Sequence, residues 1–180
     1  MVAVGIWVLS GHNGGKSQAS VFDPSKPLAA SQALPADPKA TGPVTLADAT
    51  KRQFVSPGEQ RELSGCGAAQ GRVETIVDPK QAWSWVAHVF TCSAPTAATQ
   101  VVLKLGSVEP SAGFTPTALG VAKVNSFMGT ATRACPGATR THYQSGRAVI
   151  TMSVCATSAT LAKLITEQMI HTVSAVLPPS

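Results

Sequence analysis

The segment from Ser10 to Ser17, SGHNGGKS, ends in the Gly-Lys-Ser sequence that closes many phosphate-binding loops. Such a loop has the pattern G-x-x-x-x-G-K-[ST], and the position of its first glycine is occupied here by Ser10. Gly11 comes one residue too late, so the loop is one residue short. A helix should also begin after Lys16 to point its positive end at the phosphate. Pro, Ser and Ala without apolar periodicity follow instead, and we predict no nucleotide site.

Other residue types that carry catalysis lack the required spacing. His88 and His171 have no metal-ligating partner two or four positions away. The chain contains neither a G-x-S-x-G nor an S-x-x-K motif, and its acids are scattered rather than paired. We therefore predict no catalytic residue, no cofactor and no metal site.

Four cysteines are spread over the second part of the chain, at Cys66, Cys92, Cys135 and Cys155. None forms a C-x-x-C pair, which removes the spacing of zinc-ribbon and thioredoxin-type sites. An even number of widely spaced cysteines indicates two disulfides in an oxidising compartment. The alternative is four buried free thiols in a cytosolic protein.

Two groups of side chains are candidates for a ligand or partner surface. Trp83 and Trp85 fall on the same side of one predicted strand, where they form either core or the wall of a groove for an apolar or glycan ligand. Several basic side chains surround the last two cysteines and form either a solvated hairpin face or a patch for anions or lipid headgroups. These are Arg133, Arg140, His142 and Arg147.

The elements that hold these residues are clearest near the C-terminus. Residues 147–155, RAVITMSVC, alternate apolar and polar side chains and predict a half-buried strand. Apolar residues at helical spacing from Leu161 to Val176 predict an amphipathic helix, capped by Thr157 or Ser158. Residues 83–92 predict an earlier strand, and a helix follows from Pro95 to Gly106.

Both strands end at a cysteine, and another cysteine precedes each of them. A helix is predicted before Cys66 and another between Thr115 and Cys135. The chain therefore contains two candidate copies of a helix-Cys-strand-Cys-helix unit, with chance similarity as the alternative. A true duplication would favour the disulfides Cys66–Cys92 and Cys135–Cys155, although the sequence alone allows three pairings. The expected fold class is α+β, with a small antiparallel sheet packed by amphipathic helices.

Composition divides the chain into three segments. Residues 1–11 are mostly apolar but fewer than the roughly 20 needed to span a bilayer. We interpret them as the remnant of a membrane anchor, with an ordinary buried strand as the alternative. Residues 12–44 are rich in Pro, Ser and Ala and predict a linker. Residues 45–180 form the predicted disulfide-bonded domain.

The net charge of +5 is spread along the chain without a basic cluster or interleaved aromatic residues. This distribution is not that of a nucleic-acid binder. The composition leaves the oligomeric state open.

The stretch from TPTALGVAKVNSFMGTATRAC through RAVITMSVC to LAKLITEQMIHTV resembles the extracytoplasmic sensor domain of mycobacterial transmembrane Ser/Thr kinases and related envelope lipoproteins. In that family a helix leads to a cysteine, followed by a strand ending in a second cysteine and a terminal helix. Cys135, Cys155 and the last helix match, although the segment between the cysteines is short. The resemblance implies an α+β fold, a ligand-sized cleft, no enzymatic activity and an actinobacterial envelope setting.

The leading functional hypothesis is a non-enzymatic, membrane-anchored domain on the extracytoplasmic side of the cell membrane. It binds a ligand or an envelope protein, either as a sensor or as an accessory part of an envelope assembly. The alternatives are a structural subunit of a secretion or conjugation machine and a small secreted enzyme.

Overall fold

The computed structural model describes residues 22–28, 40–78, 80, 82–130, 132–133 and 135–180. The predicted anchor and most of the predicted linker lie outside these residues. The helices are α1 (Leu46–Lys51), α2 (Pro57–Gly65), α3 (Pro95–Val108) and α4 (Ala159–Ser174), with a short 3₁₀ helix at Pro110–Ala112. The strands are β1 (Gly42–Thr45), β2 (Gln70–Val77), β3 (Trp83–Thr91), β4 (Thr115–Pro116), β5 (Asn125–Gly129), β6 (Gly137–Ser145) and β7 (Ala148–Ala156).

Local sequence signals explain where three of the helices begin. Helix α2 starts with a capping box, in which the Ser56 hydroxyl accepts from the Glu59 N–H and the Glu59 carboxylate accepts from the Ser56 N–H. The hydroxyl of Ser158 caps α4 by accepting from the N–H of Leu161. Helix α3 has Pro95 at its first position, where a missing N–H costs no helical hydrogen bond.

All seven strands form one antiparallel sheet in the order β1-β2-β3-β7-β6-β5-β4. Its centre is the pairing of β3 with β7, in which Ala87 lies opposite Met152 and Trp83 opposite Ala156. Strand β2 flanks β3 and strand β6 flanks β7, so two hairpins lie side by side in the middle of the sheet.

Alternation along the strands divides the buried side chains between two faces. One face is covered by α4, and the other by α3 with α1 and α2; we call them the α4 face and the α3 face. The α4 face has a large core that includes Trp85, Tyr143, Ile150, Met152, Met169 and Ile170. The α3 face has a second core that includes Val73, Phe90, Val101, Leu105 and Val149.

The fold class and both disulfides are confirmed. Cys66 is bonded to Cys92 and Cys135 to Cys155, and the described part of the chain contains no free cysteine. The first bond lies in the core of the α3 face. The second packs beside Phe127 at the other end of the same face.

The predicted strands at 83–92 and 147–155 are present, as are the helices beginning near Pro95 and Ser158. The strand at 147–155 is buried on both faces rather than half-buried, because β7 lies in the middle of the sheet between two layers of helices. The helix predicted between Thr115 and Cys135 is wrong. This segment forms β4, a loop and β5, and β5 pairs with β6 along its whole length. Gly120 and Lys123 have positive φ in the loop, which ends any helix there. Pairing with the sheet prevails over a helical spacing already weakened by two glycines.

The predicted repeating unit also needs correction. Each disulfide closes a hairpin of two strands rather than a single strand, β2–β3 in the first case and β6–β7 in the second. A helix directly precedes Cys66, whereas a loop and a strand precede Cys135. The feature that recurs is therefore Cys, hairpin, Cys and helix.

Residues 22–28 fall within the segment predicted as a linker, yet they contact the α4 face. Leu28 is buried and its N–H donates to Oε1 of the buried Glu74 at 2.6 Å. The Arg72 guanidinium donates to the same carboxylate oxygen and to the carbonyl of Pro24. Phe22 packs on the edge of the core. The boundary at residue 45 stays a prediction, but residues before it are part of the packed structure.

Candidate functional site

The α3 face contains a cleft of about 1090 Å³. It is bounded by the loop between α1 and α2, by the first turns of α2, by the end of α3 and by the middle of the sheet. Its volume is in the range of sites for small ligands. The polar and charged residues that line it are Thr50, Lys51, Gln53, Ser56, Glu59, Arg61, Glu62, His88, Lys104, Ser107, Glu109, Arg140, His142, Thr151 and Ser153.

The floor of the cleft is a row of polar side chains across three strands. His88 on β3 lies opposite Thr151 on β7, which lies opposite His142 on β6. Because neighbouring strands are about 4.8 Å apart, the two imidazoles stand about two strand spacings from each other. The next row along places Ser153 beside Arg140. Strand pairing alone therefore brings these five side chains to one surface.

His142 is buried and uses both ring nitrogens. Its Nε2 lies 2.9 Å from Oε1 of Glu109, which follows helix α3, and its Nδ1 lies 3.2 Å from the Thr151 hydroxyl. The other oxygen of Glu109 accepts from Nη1 of Arg140 at 3.0 Å. The Arg140 guanidinium also stacks 4.5 Å from the centre of the Phe114 ring. Glu109 thus ties the end of α3 to the floor through two side chains.

His88 makes a looser pair with helix α2. Its Nε2 lies 3.4 Å from Oε1 of Glu59 without the alignment of a hydrogen bond. Burial raises the pKa of Glu59, but the adjacent His88 imidazole, the Ser56 N–H and the charge of His142 lower it, and the pKa falls to about 2. Glu59 is therefore ionised at neutral pH and holds the first turn of α2 against the sheet.

The rim and walls of the cleft combine charge with apolar surface. Lys104 and Glu62 form an ion pair at 2.7 Å between α3 and α2. Two further cations, Lys51 and Arg61, line the opening and are exposed. The apolar lining is formed by Phe54, Val55, Pro57, Leu105 and Val108.

The predicted surface residues fall in different places. Arg140 and His142 lie in the cleft. Arg133 is exposed just before Cys135, and Arg147 is exposed at the turn between β6 and β7, so nine strand residues separate them. The basic set therefore does not form one patch.

The tryptophans lie away from this cleft. Trp85 is fully buried in the core of the α4 face, as the core interpretation of this pair predicts. Trp83 is half-buried and borders a separate hollow of about 230 Å³ beside Ala156 and Thr157. The cysteines hold the hairpins that support the floor.

Sequence reasoning missed most of the polar cluster. His88 lacks the spacing of a metal ligand, Glu59 and Glu109 are scattered acids, and Thr151 belongs to no motif. The S-x-x-E sequence from Ser56 to Glu59 is the pattern of a capping box and marks the start of α2. No pattern in the neighbouring residues indicates that Glu59 contacts His88.

Within the residues described, no group of three or more His, Cys, Asp or Glu side chains is arranged to hold a metal ion. In the same residues no helix has both the length and the apolar character needed to cross a bilayer.

No family model and no curated protein matches the sequence. Among solved structures, the extracellular domain of PknH from Mycobacterium tuberculosis matches with a TM-score of 0.47 and 11% identity, over 76% of this chain and 79% of that chain. PknH is a mycobacterial Ser/Thr kinase, the class of protein whose extracytoplasmic domain the sequence resembles. At this TM-score the likeness carries no argument about function, which must come from the residues of the chain itself.

Proposed function

We propose that this chain is a membrane-anchored, extracytoplasmic domain that binds a ligand in the cleft of the α3 face and acts as a sensor rather than an enzyme. The observation that carries the proposal is the floor of the cleft, where buried polar side chains from three strands meet an open volume of about 1090 Å³. Desolvating such groups is costly unless they are paired. A site built in this way holds its polar groups in place before a ligand arrives.

The two disulfides support the extracytoplasmic part of the proposal, because such bonds persist in oxidising compartments. The apolar composition of residues 1–11 supports an anchor. Lysis of the producing cells directly into denaturant that contains an alkylating reagent, followed by mass measurement, tests the location, because unfolding makes any buried free thiol reactive. We expect no thiol to react before reduction, and four reactive thiols would contradict the proposal.

The sensor part is supported by the contacts between walls and floor. Glu59 joins α2 to the sheet, Glu109 joins the end of α3 to it, and Lys104 joins the two helices to each other. A ligand that binds between these walls and the floor favours one position of the helices over another, which is the kind of signal that a sensor domain transmits.

Ligand binding is tested with a matched pair of blocking substitutions. Ser107 lines the cleft and its hydroxyl donates to the carbonyl three residues earlier; Ser174 on α4 makes the same local bond on the opposite face. A fragment collection is screened by ligand-observed NMR against the full chain, Ser107→Trp and Ser174→Trp. We expect fragments that bind the full chain and Ser174→Trp but not Ser107→Trp. Fragments insensitive to Ser107→Trp would overturn the assignment of the cleft.

Hydrolysis is the second candidate function, because one observation favours it. Thr151, His142 and Glu109 form a continuous line of hydroxyl, imidazole and carboxylate, the order of a nucleophile, its base and the group that orients the base. Turnover of activated esters by the full chain, abolished in Thr151→Val and retained in Ser153→Ala, would support this function. Equal turnover in all three proteins would exclude it.

A further inference from the structure

We infer that the ligand of the α3-face cleft carries an oxyanion, either a carboxylate or a phosphate, joined to an apolar body. The inference rests on the proposed function and specifies the chemistry that the site recognises. It follows from the hydrogen-bonding groups that line the cleft: its carboxylate acceptors already have partners, whereas several of its donors have none among the described residues.

The three carboxylates that line the cleft are occupied. Glu62 is paired with Lys104, and Glu109 accepts from both His142 and Arg140. Glu59 accepts from the Ser56 N–H at 3.0 Å and faces His88. A cationic or donor-rich ligand would therefore have to break an existing contact to find an acceptor.

Several hydrogen-bond donors in the cleft, in contrast, remain without partners in the described part of the chain. Within the described residues the Arg140 guanidinium makes one hydrogen bond, from Nη1 to Glu109, and the Ser153 hydroxyl beside it makes none. Arg140 is 40% exposed, so its remaining N–H groups are accessible from the cleft. The stacking contact with Phe114 and the bond to Glu109 fix the plane of the guanidinium. A fixed guanidinium with free N–H groups suits a carboxylate or phosphate.

The charges at the opening agree with this assignment. Lys51 and Arg61 line the cleft, and neither is ion-paired to any described residue. Counted with Lys104 and Arg140, the cleft has four cations against three carboxylates, a formal surplus of one positive charge. Such a surplus attracts anions and accelerates their association at low ionic strength.

The apolar lining determines the rest of the ligand. Val55 and Leu105 are buried in the wall, and the more exposed Phe54 and Val108 extend that wall toward the opening. An apolar chain or ring against these four side chains would place the anionic group at the floor. Anion and apolar body together account for both kinds of surface in the cleft.

Four probes with a common six-carbon chain test the inference on the uniformly labelled full chain: hexanoate, hexyl phosphate, hexanol and hexylammonium. We expect both anions to shift the Arg140 Nε–H and the amides of Thr151 and Ser153 at concentrations where hexanol and hexylammonium do not. Hexanoate alone would identify a carboxylate, and hexyl phosphate alone a phosphate. Equal or stronger shifts with hexanol or hexylammonium would overturn the inference, as would no shift with either anion.

Variants locate the binding group. We expect Arg140→Gln to weaken binding of the anions by about tenfold, the loss of one charge-assisted hydrogen bond, and to leave hexanol unaffected. Arg147→Gln, on the same hairpin but outside the cleft, is the matched control and should bind normally. Ser153→Ala gives a second measurement that does not disturb Glu109, with an expected loss of about threefold. Anion affinity unchanged in both Arg140→Gln and Ser153→Ala would refute the assignment.

The proposal that the cleft binds a ligand and the proposal that this ligand is an anion can be disproved independently. If fragments bind in a manner sensitive to Ser107→Trp but the anionic probes do not, the cleft remains a binding site and only the ligand class is wrong. If the fragment screen also finds no binder that Ser107→Trp blocks, the cleft is not a ligand-binding site.

Discussion

His142 and Glu109 lie 2.9 Å apart, from Nε2 to Oε1, although 33 residues separate them in the chain. Both side chains are almost completely buried, with exposed fractions of 2% and 5%. The contact joins strand β6 of the sheet to the end of α3 beside the floor of the cleft. The contribution of this contact to the free energy of unfolding can be measured.

Glu109→Gln should lower the free energy of unfolding by about 2 kcal/mol or more, because Arg140 loses its charged partner and a buried hydrogen bond weakens. Urea denaturation followed by circular dichroism measures the change. Glu62→Gln removes the more exposed pair with Lys104, where we expect less than about 1 kcal/mol. Equal losses in the two variants would contradict a structural role specific to Glu109.

The lowered pKa of Glu59 makes stability depend on pH in a defined window. The pKa is about 2 in the folded chain and ordinarily 4.5, so the folded state binds the proton less tightly than the unfolded state. The stabilisation by ionised Glu59 is therefore complete above about pH 4.5 and is lost as the pH falls toward 2. We expect the difference in unfolding free energy between the native chain and Glu59→Gln to be larger at pH 5 than at pH 2.5.

Glu167→Gln is the control for this titration, since Glu167 pairs loosely with Lys163 on the surface of α4. Its difference from the native chain should be small at both pH values. A difference for Glu59→Gln that stays constant or grows on acidification would show that Glu59 is not held ionised by its neighbours.

Leu28→Ala should destabilise the domain by about 2–5 kcal/mol, the usual cost of emptying a fully buried leucine site. Thermal and urea unfolding measure this loss. Leu103 is 56% exposed on α3, and Leu103→Ala should change stability by less than about 0.5 kcal/mol. If both substitutions had the same small effect, residues 22–28 would not be an integral part of the fold.

Removing either disulfide should cost about 3 kcal/mol, because the two bonds close loops of 26 and 20 residues and the chain-entropy model gives similar values for both. The paired variants Cys66→Ala with Cys92→Ala, and Cys135→Ala with Cys155→Ala, test this by urea unfolding. Peptide mapping of the native chain under non-reducing conditions provides the control for the pairing. A peptide joining cysteines of different hairpins would contradict the fold.

Elements with strong local patterns were predictable from the sequence. The alternation in RAVITMSVC gives β7, and Pro95 and Ser158 mark the starts of α3 and α4. Strands that lack such a pattern were not predictable in the same way. β5 was interpreted as part of a helix, because the pairing with β6 that stabilises it comes from another part of the chain.

The candidate site was only partly predictable. Arg140 and His142 were identified from their position near the cysteines, but Arg133 and Arg147 were grouped with them although they lie at opposite ends of the hairpin. Glu59 and Glu109 were regarded as scattered acids. Their role depends on how α2 and α3 pack on the sheet, which no local pattern encodes.

Local patterns and composition were enough to place two strands, to mark the starts of two helices at Pro95 and Ser158, and to indicate disulfides from four cysteines. These depend on near neighbours in the chain or on composition. Strand pairing in the folded domain, in contrast, is what puts His88, Thr151 and His142 in one row, and helix packing is what brings Glu59 on α2 and Glu109 after α3 to that row. Strand register and helix packing bring distant residues together, and the energy of those contacts exists only once the whole sheet has formed.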